Sequence, residues 1–345
     1  METSHLGDPM CVPPGPAQRA LLGLPRPPSN LDLSSAFCRI YQVWQGNEAF
    51  YCGGRLMMGP NRGNVLFTTA LIGVPAVVFL GERRGHLGLL APTPGRSLPP
   101  RSSRSAAVTA PSMPATFNVA WLVVTAVWVG GLLGTLFRTA SMDPGVLPRN
   151  PNPPTEYLTG NLTRVQTADY RGHEIQVRYN ETTHFYQPPR AHHCSINDNC
   201  YDKFDHHCPW IGTTIARRNY RSFLMFVYGT VFLCGWVIAG CVIHIVQDVN
   251  DATRGYPDSA RKGRVDKAVR DNWLQLLIGA YCFISLFFVG ALAAMHTYLV
   301  SKNMTTYESF RIRRTGAENP FDRGCCWNWW AVCCGPIPPP RVDFR

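Results

Sequence analysis

Residues 272–300 read NWLQLLIGAYCFISLFFVGALAAMHTYLV and contain no Asp, Glu, Lys or Arg. A helix that spans the hydrocarbon of a bilayer needs about 17–25 mostly apolar residues, and a chain embedded in lipid must satisfy its backbone hydrogen bonds internally. A charge-free run of this length is rare in the core of a soluble protein. The stretch therefore predicts a membrane-spanning helix.

Three further charge-free blocks indicate the same structure. They are residues 64–80, 115–137 and 223–246. The first block is at the short end of the range for a span and contains Pro75, whereas the other two are clearly long enough. The sequence thus predicts an α-helical integral membrane protein with four transmembrane helices. No basic start followed by an apolar core and a small-residue cleavage site is visible, so we expect insertion through the first helix.

The segments between the blocks differ in composition. Residues 1–36 are rich in Pro, lack periodicity and are expected to be disordered. Residues 82–114 are a low-complexity Pro/Ser/Arg sequence, either a genuine exposed loop or an error in the coding sequence. The remaining predicted segments are a juxtamembrane segment at 37–63, a lumenal loop at 81–114, a cytosolic loop at 138–222, a second lumenal loop at 247–271 and a cytosolic tail at 301–345.

Basic residues indicate which side of the membrane each segment occupies. With four spans, residues 1–63, 138–222 and 301–345 share one side and together hold 22 Lys and Arg, against 11 in the other two loops. This excess favours a cytosolic location for both termini and for the long middle loop. The net charge of +11 suits a protein that lies against anionic lipid, whereas scattered basic residues without a stacking motif argue against nucleic-acid binding. We therefore expect a multi-pass protein of the endomembrane system or plasma membrane.

Within the middle loop, residues 204–210 read FDHHCPW. Cys208 is a strong nucleophile as a thiolate, His206 can take its proton, and Asp205 can fix the imidazole tautomer. Because Pro209 ends a regular helix or strand, we expect His206 to reach Cys208 only where the backbone turns. His and Cys are also the commonest zinc ligands, so these residues alone leave catalysis and metal binding both open. Disulfides are not expected, because the cytosol is reducing.

The wider sequence resembles a known family. Residues 187–223, QPPRAHHCSINDNCYDKFDHHCPWIGTTIARRNYRSF, resemble the cysteine-rich domain of the DHHC protein S-acyltransferases, or palmitoyltransferases. The layout is similar too, with four predicted spans and the motif between the second and third. The resemblance covers roughly residues 50–335 and implies a compact cytosolic cysteine-rich DHHC domain at about 174–222. Shorter motifs of the family match DPG at Asp143, Pro144 and Gly145, TTYE at Thr305, Thr306 and Glu308, and NPFDRG around Asn319.

The resemblance implies a two-step acyl transfer. Cys208 is acylated by a fatty acyl-CoA such as palmitoyl-CoA, and the acyl group then passes to a juxtamembrane or lipid-anchored cysteine of another protein. His206 takes the place of the general base, and Asp205 orients it. An acyl chain buried between helices gains about 0.8 kcal/mol per CH₂, so membrane lipid, acyl-CoA and client proteins are the expected partners. The alternative is a catalytically silent membrane scaffold that binds acyl-CoA or client proteins.

The resemblance also implies two zinc ions, each held by three cysteines and one histidine, but the ligand positions are incomplete. Neutral amides and hydroxyls are poor zinc ligands beside thiolate, and a structural zinc site normally has four ligands. Three outcomes stay open: nearby residues complete one site, the fold persists without zinc, or the protein is inactive. Usual ligands remain at His193 and Cys200 for the first ion and at Cys194 and His207 for the second. The other positions hold Asn180, Thr183, Asn197 and Thr214. The nearby candidates are His184, His192, Asp198 and Asp202.

Several other residues have two interpretations each. Arg217, Arg218 and Arg221 are expected either to meet CoA phosphates or to form the basic flank of the third span. Residues 305–308 either brace the cytosolic domain or cap a helix. His296, inside a span, is expected to form a hydrogen bond between helices. Four tail cysteines form either a metal knuckle or palmitoylation sites: Cys325, Cys326, Cys333 and Cys334.

Overall fold

The computed structural model describes residues 39–89, 115–170, 172–316 and 318–344. The predicted N-terminal tail, residues 1–36, and most of the low-complexity segment, residues 90–114, lie outside the described residues. A short 3₁₀ helix at Ile40–Gln42 comes first. In chain order the strands and helices are β1 (Ala49–Tyr51), β2 (Leu56–Met58), α1 (Gly63–Leu89), α2 (Ala115–Ser141), α3 (Thr155–Leu158), β3 (Val165–Tyr170), β4 (His173–Asn180), β5 (Phe185–Tyr186), β6 (His192–Cys194), β7 (Asn199–Tyr201), β8 (His206–Cys208), β9 (Thr213–Ile215), α4 (Tyr220–Thr253), α5 (Asp258–Asp271), α6 (Trp273–Ser301), α7 (Thr306–Thr315) and α8 (Cys325–Cys333).

Helices α1, α2, α4 and α6 are each long and apolar enough to cross a membrane. This confirms the prediction of a helical membrane protein with four spans. Helix α4 is the central span, because 33% of its apolar window is buried inside the protein against 17% for each of the others. It packs against both α2 and α6. At the contact with α2, the rings of Trp121 and Trp236 stack with their centroids 3.7 Å apart.

Three helices extend several residues beyond the apolar runs that predicted them. Helix α1 continues to Leu89, past the expected end at residue 80, α2 continues to Ser141 rather than to residue 137, and α4 continues to Thr253 rather than to residue 246. A helix adds one hydrogen bond per residue once it has formed, so it does not have to end where hydrophobicity falls. Helix α5 lies in a segment that the sequence predicted as a loop. It is largely polar and exposed, so it has no apolar periodicity to reveal it.

Residues 142–219, between α2 and α4, form a domain of short antiparallel strands. A three-stranded sheet in the order β3-β4-β5 is followed by the hairpins β6–β7 and β8–β9. The register pairs His193 with Cys200 in the first hairpin and His207 with Thr214 in the second. Two-stranded hairpins this short are marginal on their own, so side-chain contacts between them must hold the domain together.

The segments before α1 and after α8 pack onto this domain. The ring of Phe344 lies 5.0 Å from the ring of Phe50. Because the three segments form one body, the span ends that adjoin them lie on the same side of the membrane. An even number of spans requires this arrangement. The buried residues that join the segments are Met57, Val146, Tyr201, Phe204, Val342 and Phe344.

Candidate active site

The FDHHCPW stretch lies in the hairpin of β8 and β9. Side chains alternate along a strand, so His206 and Cys208 share one face of β8 and His207 lies on the other. The expectation that the backbone must turn between His206 and Cys208 is therefore wrong, because the period of two brings both side chains to one face. Pro209 does follow the last residue of the strand. The chain then reverses, with the N–H of Gly212 donating to the Cys208 carbonyl at 2.8 Å and Gly212 at φ +75°, which favours glycine.

Two polar side chains at the start of α1 hold the turn after Cys208. Asn64 donates from Nδ2 to the carbonyl of Pro209 at 2.7 Å, and the Thr68 hydroxyl donates to the carbonyl of Trp210 at 2.5 Å. The first span therefore fixes the loop that carries the cysteine. Neither residue was predicted from the sequence. The available signal was two polar side chains at i and i+4, which share one face of a helix in an otherwise apolar run.

His206 is held between an acid and the cysteine. Its Nδ1 lies 2.6 Å from Oδ2 of Asp205, which is 2% exposed, and it shares one face of β8 with Cys208. Burial alone would lower the pKa of His206, but the interactions with Asp205 and with Cys208 outweigh burial and raise the pKa to about 9. The imidazole is therefore protonated at neutral pH.

Asp205 is in turn oriented by helix α7. The backbone N–H of Thr306 donates to Oδ1 of Asp205 at 2.9 Å, and the Thr306 hydroxyl donates to Oδ2 at 2.8 Å. Burial would raise the pKa of Asp205, but the hydrogen bond and charge of His206, together with the Thr306 N–H, lower it overall. The carboxylate therefore stays ionised at neutral pH, and both of its oxygens are fixed.

The other residues of the TTYE stretch make both of the contacts that the sequence left open. The Thr305 hydroxyl accepts the N–H of Glu308 at 3.1 Å, and the Thr305 N–H donates to Glu308 Oε2 at 2.8 Å, which is a capping box. Arg190, from the PPR sequence before the DHHC motif, donates to each carboxylate oxygen of Glu308 at 2.7 Å. The start of α7 is therefore tied to the domain that carries Cys208.

The DPG motif positions one of the three arginines expected to meet CoA. Asp143 Oδ1 accepts the N–H of Gly145 at 2.8 Å, and its other oxygen forms an ion pair with Arg218. The carbonyl of Pro144 accepts the backbone N–H of Arg218 at 3.0 Å. Arg218 also donates from Nε to the carbonyl of Pro338 at 3.0 Å. This guanidinium therefore links the motif to the C-terminal segment.

The other two arginines have different surroundings. Arg221 donates to the carbonyls of Val332, at 2.7 Å, and of Gly335, so it also holds the C-terminal segment. Arg217 pairs with Asp202 at 3.0 Å, and 48% of its side chain is exposed. Of the three arginines, Arg217 is therefore the most accessible to a ligand.

A cavity of about 350 Å³ lies beside Asp205. Its wall includes four basic side chains, Arg190, Lys203, Arg217 and Arg221, and two acidic ones, Asp202 and Asp205. Burial lowers the pKa of Lys203 to about 8, so this amine is still mostly charged at pH 7. A concave site whose wall holds more cations than anions attracts a polyanionic ligand.

Asn319 and its neighbours close the other side of this region. Asn319 donates from Nδ2 to the carbonyl of Lys302 at 2.5 Å and accepts the N–H of Phe321 at 3.1 Å. The guanidinium of Arg190 lies 4.3 Å from the centroid of the Phe321 ring, within the range of a cation–π contact. The NPFDRG segment therefore supports the same arginine that binds Glu308.

Cys208 itself lies where the domain meets the spans. It is 6% exposed and belongs to a buried apolar cluster with Val65 of α1, Leu136 of α2, Phe223 of α4 and Ala293 of α6. The cysteine therefore shares one buried cluster with side chains from all four membrane-spanning helices.

His296 of α6 also adjoins the site. Its Nδ1 lies 2.9 Å from the hydroxyl of Tyr220 on α4, which is the bond between helices that the sequence led us to expect. Asp205, His206 and His296 form the one group of three His, Cys, Asp or Glu side chains, among those described, with ligand atoms all within 4.8 Å of one another. The sequence placed His296 in a span but gave no sign that it lies beside the motif.

The two expected zinc sets are assembled only as pairs. His193 Nδ1 lies 3.7 Å from Cys200 Sγ, and His207 Nδ1 lies 3.9 Å from Cys194 Sγ. In the part of the chain that the structure describes, neither pair belongs to a group of three such ligands. The other nitrogen of His193 faces Asp198 at 3.4 Å, and one ion cannot meet both nitrogens of one imidazole.

The nearby candidates for completing a site contact other groups. The residues present therefore do not fit a four-ligand zinc site, and the expectation that one of these candidates supplies a missing ligand finds no support. Their contacts are His184 with Tyr179, His192 with Tyr307, Asp198 with Arg149 and His193, and Asp202 with Arg217 and Arg341.

The family model and the relatives that match this chain agree on one family. Residues 173–313 match the family model described as DHHC palmitoyltransferase. Protein S-acyltransferase 8 of Arabidopsis thaliana is 35% identical over 324 residues, which cover 89% of this chain and 72% of the relative. Probable protein S-acyltransferase 1 of the same plant is 34% identical over 324 residues, covering 89% of this chain and 85% of the relative. Probable protein S-acyltransferase 2 is 33% identical over 329 residues, covering 89% and 70%. The chain therefore belongs to the DHHC palmitoyltransferase family.

Proposed function

We propose that this protein is an S-acyltransferase that moves a fatty acyl group, typically palmitoyl, from acyl-CoA to cysteines of membrane-associated proteins. Membership of the family and the names of the relatives support this reaction. One observation supports the residues that perform it: Thr306, Asp205 and His206 form a continuous chain of hydrogen bonds, and His206 shares one face of β8 with Cys208. A catalytically silent scaffold does not require that chain, and no feature of the described residues favours the scaffold.

In the first step Cys208 is the nucleophile. Its thiolate sulfur attacks the thioester carbonyl of acyl-CoA, a C–S bond forms to Cys208, and the bond to the CoA sulfur breaks. His206, protonated at the start, gives its proton to the departing CoA thiolate. The products are acyl-Cys208, the CoA thiol and a neutral His206.

In the second step His206 is the general base. It takes the proton of the incoming cysteine thiol, the new thiolate attacks the acyl carbonyl, and the bond to Cys208 breaks. This regenerates the Cys208 thiolate and the His206 imidazolium. Asp205 keeps the ring orientation through both steps and stabilises the imidazolium each time it forms. Thr306 is a positioning residue, because it acts through Asp205.

The location of Cys208 suits a lipid substrate. Its buried cluster includes side chains of all four spans, so an acyl chain on the sulfur extends directly into the membrane region. Each buried CH₂ contributes about 0.8 kcal/mol, so a long chain binds much more tightly than a short one. The same position gives Cys208 access to client cysteines that lie close to the membrane surface.

The basic cavity suits the phosphates of CoA. It lies next to Asp205, the residue that binds His206. Arg217 is the most exposed of the three arginines proposed from the sequence, and we assign it to the CoA phosphates. Arg218 and Arg221 contribute through the C-terminal segment that they hold.

The orientation in the membrane follows from charge. Residues 1–63, 138–222 and 301–345 carry the larger share of Lys and Arg, 22 against 11 in the other two loops. Positively charged segments remain on the cytosolic side. We therefore place the DHHC domain and both termini in the cytosol.

Autoacylation tests the proposed nucleophile. The full-length protein is purified in detergent, incubated with alkyne-tagged palmitoyl-CoA and compared with Cys208→Ser. The wild type is expected to carry a label that hydroxylamine removes, as a thioester requires, and the variant is expected to carry none. Cys52→Ser is the matched control, because Cys52 is an exposed free cysteine outside the site, and it is expected to retain the label. Equal label on the Cys208→Ser protein would contradict the proposal.

A further inference from the structure

We infer that the DHHC domain of this protein folds without zinc, because hydrogen-bonded clusters of Asn and Thr replace the metal at both family positions and a buried glutamate joins one cluster to the N-terminal segment. The family pattern places three cysteines and one histidine around each ion. This chain retains one cysteine and one histidine in each set. The contacts of the substituted residues show what has taken the place of coordination.

At the first position, the substituted residues bind each other. Asn180 Oδ1 accepts both the backbone N–H of Thr183, at 2.9 Å, and its hydroxyl, at 2.8 Å. The Thr183 hydroxyl also lies 3.4 Å from Cys200 Sγ, and Gln187 donates to the same sulfur at 3.7 Å. Thr183 is fully buried. The amide oxygen and the thiol are therefore already occupied by protein donors, and the space between them is bridged by a hydroxyl.

At the second position, Asn197 takes the central place. Its Oδ1 accepts from the Thr214 hydroxyl at 3.2 Å and from the Cys194 thiol at 3.7 Å. Its Nδ2 donates to Glu48 Oε1 at 3.2 Å. One amide therefore links β8–β9, β6–β7 and the N-terminal segment, and all of its polar atoms have partners. His207 Nε2 is buried without a hydrogen bond among the described residues, but its Nδ1 is the atom that faces Cys194.

Glu48 is the hub of the second cluster. It is 8% exposed and also accepts from Trp44 Nε1 at 2.8 Å, from Asn199 Nδ2 at 2.7 Å and from the Tyr201 hydroxyl. A buried carboxylate is tolerated only when its oxygens are hydrogen-bonded, and hydrogen bonds to a charged acceptor are stronger than neutral ones. Glu48 thus cross-links segments about 150 residues apart in the chain, which is the task that a structural metal performs.

The chemistry of the substituted side chains supports the same conclusion. Asn and Thr are neutral, whereas structural zinc sites use deprotonated cysteines and histidines in a closed set of four. Each set here has two such ligands, and in the described residues no third one joins either pair. Zinc held by only two such ligands would bind too weakly to displace the hydrogen bonds that already join the side chains of each cluster.

Elemental analysis tests the inference directly. The protein is expressed with zinc in the medium and purified in detergent without chelator. The number of zinc ions per chain is then measured by inductively coupled plasma mass spectrometry. We expect well below one zinc per chain, and a thermal unfolding transition that EDTA does not shift. One or more zinc ions per chain, with a transition that falls when EDTA removes them, would overturn the inference. Neither measurement depends on acyl transfer, so a failure of this inference can be told apart from a failure of the proposed function.

A gain-of-metal variant provides the matched control. The double substitution Asn197→Cys with Thr214→Cys restores three cysteines and one histidine at the second position, and we expect it to bind about one zinc per chain. Zinc in this variant and none in the wild type supports the inference. If the variant does not fold, the zinc content of the wild type still decides.

The role of Glu48 has its own test. Glu48→Gln keeps the size of the side chain but removes the charge that accepts four donors. We expect its unfolding transition to fall by several degrees with no change in zinc content. Glu156→Gln, at an exposed glutamate of α3, is the control and is expected to melt as the wild type does. Equal unfolding temperatures for Glu48→Gln and the wild type would contradict the proposed role of Glu48 in joining the segments.

Discussion

Thr306 donates one hydrogen bond to each carboxylate oxygen of Asp205, at 2.9 and 2.8 Å. The two residues lie 101 positions apart, one at the start of α7 and the other immediately before β8. Because Asp205 also binds His206, the segment after the last span determines the orientation of the imidazole. A C-terminal segment that moved away from the domain would therefore release the base from its position.

Removing the Thr306 hydroxyl tests this relationship. Thr306→Val keeps the shape and the backbone N–H but removes the donor to Oδ2. A hydrogen bond to a charged group contributes about 1.5–3 kcal/mol, so we expect the autoacylation rate to fall roughly 10- to 100-fold. The measurement is single-turnover labelling at saturating acyl-CoA, because a positioning role lowers the rate constant rather than substrate affinity.

Ser309→Ala is the control for that variant. Ser309 lies on the same helix, and its hydroxyl donates to the Thr306 carbonyl at 2.8 Å rather than to Asp205. We expect its rate to remain within a few-fold of the wild type. An equal loss of autoacylation rate in both variants would show that any substitution in this helix lowers the rate. The hydrogen bond between the Thr306 hydroxyl and Asp205 would then have no specific role in catalysis.

The raised pKa of His206 predicts the pH dependence of the first step. That step needs the protonated imidazole, which gives its proton to the CoA thiolate. The fraction of protonated His206 falls as pH rises through its pKa of about 9, so the autoacylation rate is expected to decline above that pH. Between pH 6 and 8, well below this pKa, we expect no loss from His206. A pH–rate profile of single-turnover labelling measures the decline.

Asp205→Asn should move that decline. The carboxylate raises the pKa of His206 against the effect of burial, so its removal lets burial lower the pKa. We expect the alkaline decline of the variant to begin at a lower pH than in the wild type, in addition to a lower maximal rate. An unchanged decline in Asp205→Asn would mean that another group controls it.

The ion pair between Arg190 and Glu308 predicts a loss of stability. Both side chains are 13% exposed and joined by two hydrogen bonds of 2.7 Å. Removing one partner leaves an unpaired buried charge, so Glu308→Ala is expected to lower the free energy of unfolding by about 3–5 kcal/mol. The double variant with Arg190→Ala should lose less than the sum of the single losses. Thermal unfolding in detergent measures all three.

An exposed ion pair serves as the control. Arg164 and Glu181 lie 3.1 Å apart, but their side chains are 83% and 54% exposed. Glu181→Ala is therefore expected to change stability by less than about 1 kcal/mol. Equal losses for Glu181→Ala and Glu308→Ala would show that burial does not determine the strength of the buried pair.

The parts of the fold that the sequence predicted are those determined by composition or by a local motif. Four charge-free runs predicted the spans, because lipid excludes charge along the whole length of a helix. The DHHC stretch with its flanks predicted the family, because its residue types are specific and closely spaced. Both signals lie within a single segment of the chain.

The parts that the sequence did not predict depend on contacts between distant segments. Nothing in the sequence near Glu48 indicates that its partners lie about 150 positions away. The sequence predicted a hydrogen bond between helices for His296, but it did not indicate that His296 lies beside His206. The strand β8 is three residues long, too short for an alternating pattern to be recognised, so the common face of His206 and Cys208 was missed. These features follow from packing, which local propensity does not specify.

The orientation of the membrane spans predicts which sequons carry no glycan. Asn161-Leu-Thr, Asn180-Glu-Thr and Asn303-Met-Thr all lie in the segments proposed to be cytosolic, so we expect none to be modified. The paired substitution Lys262→Asn with Arg264→Thr creates a sequon on the exposed surface of α5, on the opposite side, and is expected to be glycosylated in cells. Endoglycosidase-sensitive shifts on a gel report both results. A shift of the unaltered protein would reverse the orientation.

The accessible arginine beside the cavity predicts the affinity for acyl-CoA. Arg217 lines the cavity, so its guanidinium can meet a phosphate, but it is half exposed and its interaction is screened by solvent. We therefore expect Arg217→Ala to raise the KM for palmitoyl-CoA about three- to tenfold, equivalent to roughly 1 kcal/mol, with little change in kcat. Arg341→Ala is the matched control, because Arg341 also pairs with Asp202, at 3.2 Å, and is not among the residues that line the cavity. If both variants raise KM equally, the effect comes from Asp202, and the CoA phosphates bind elsewhere.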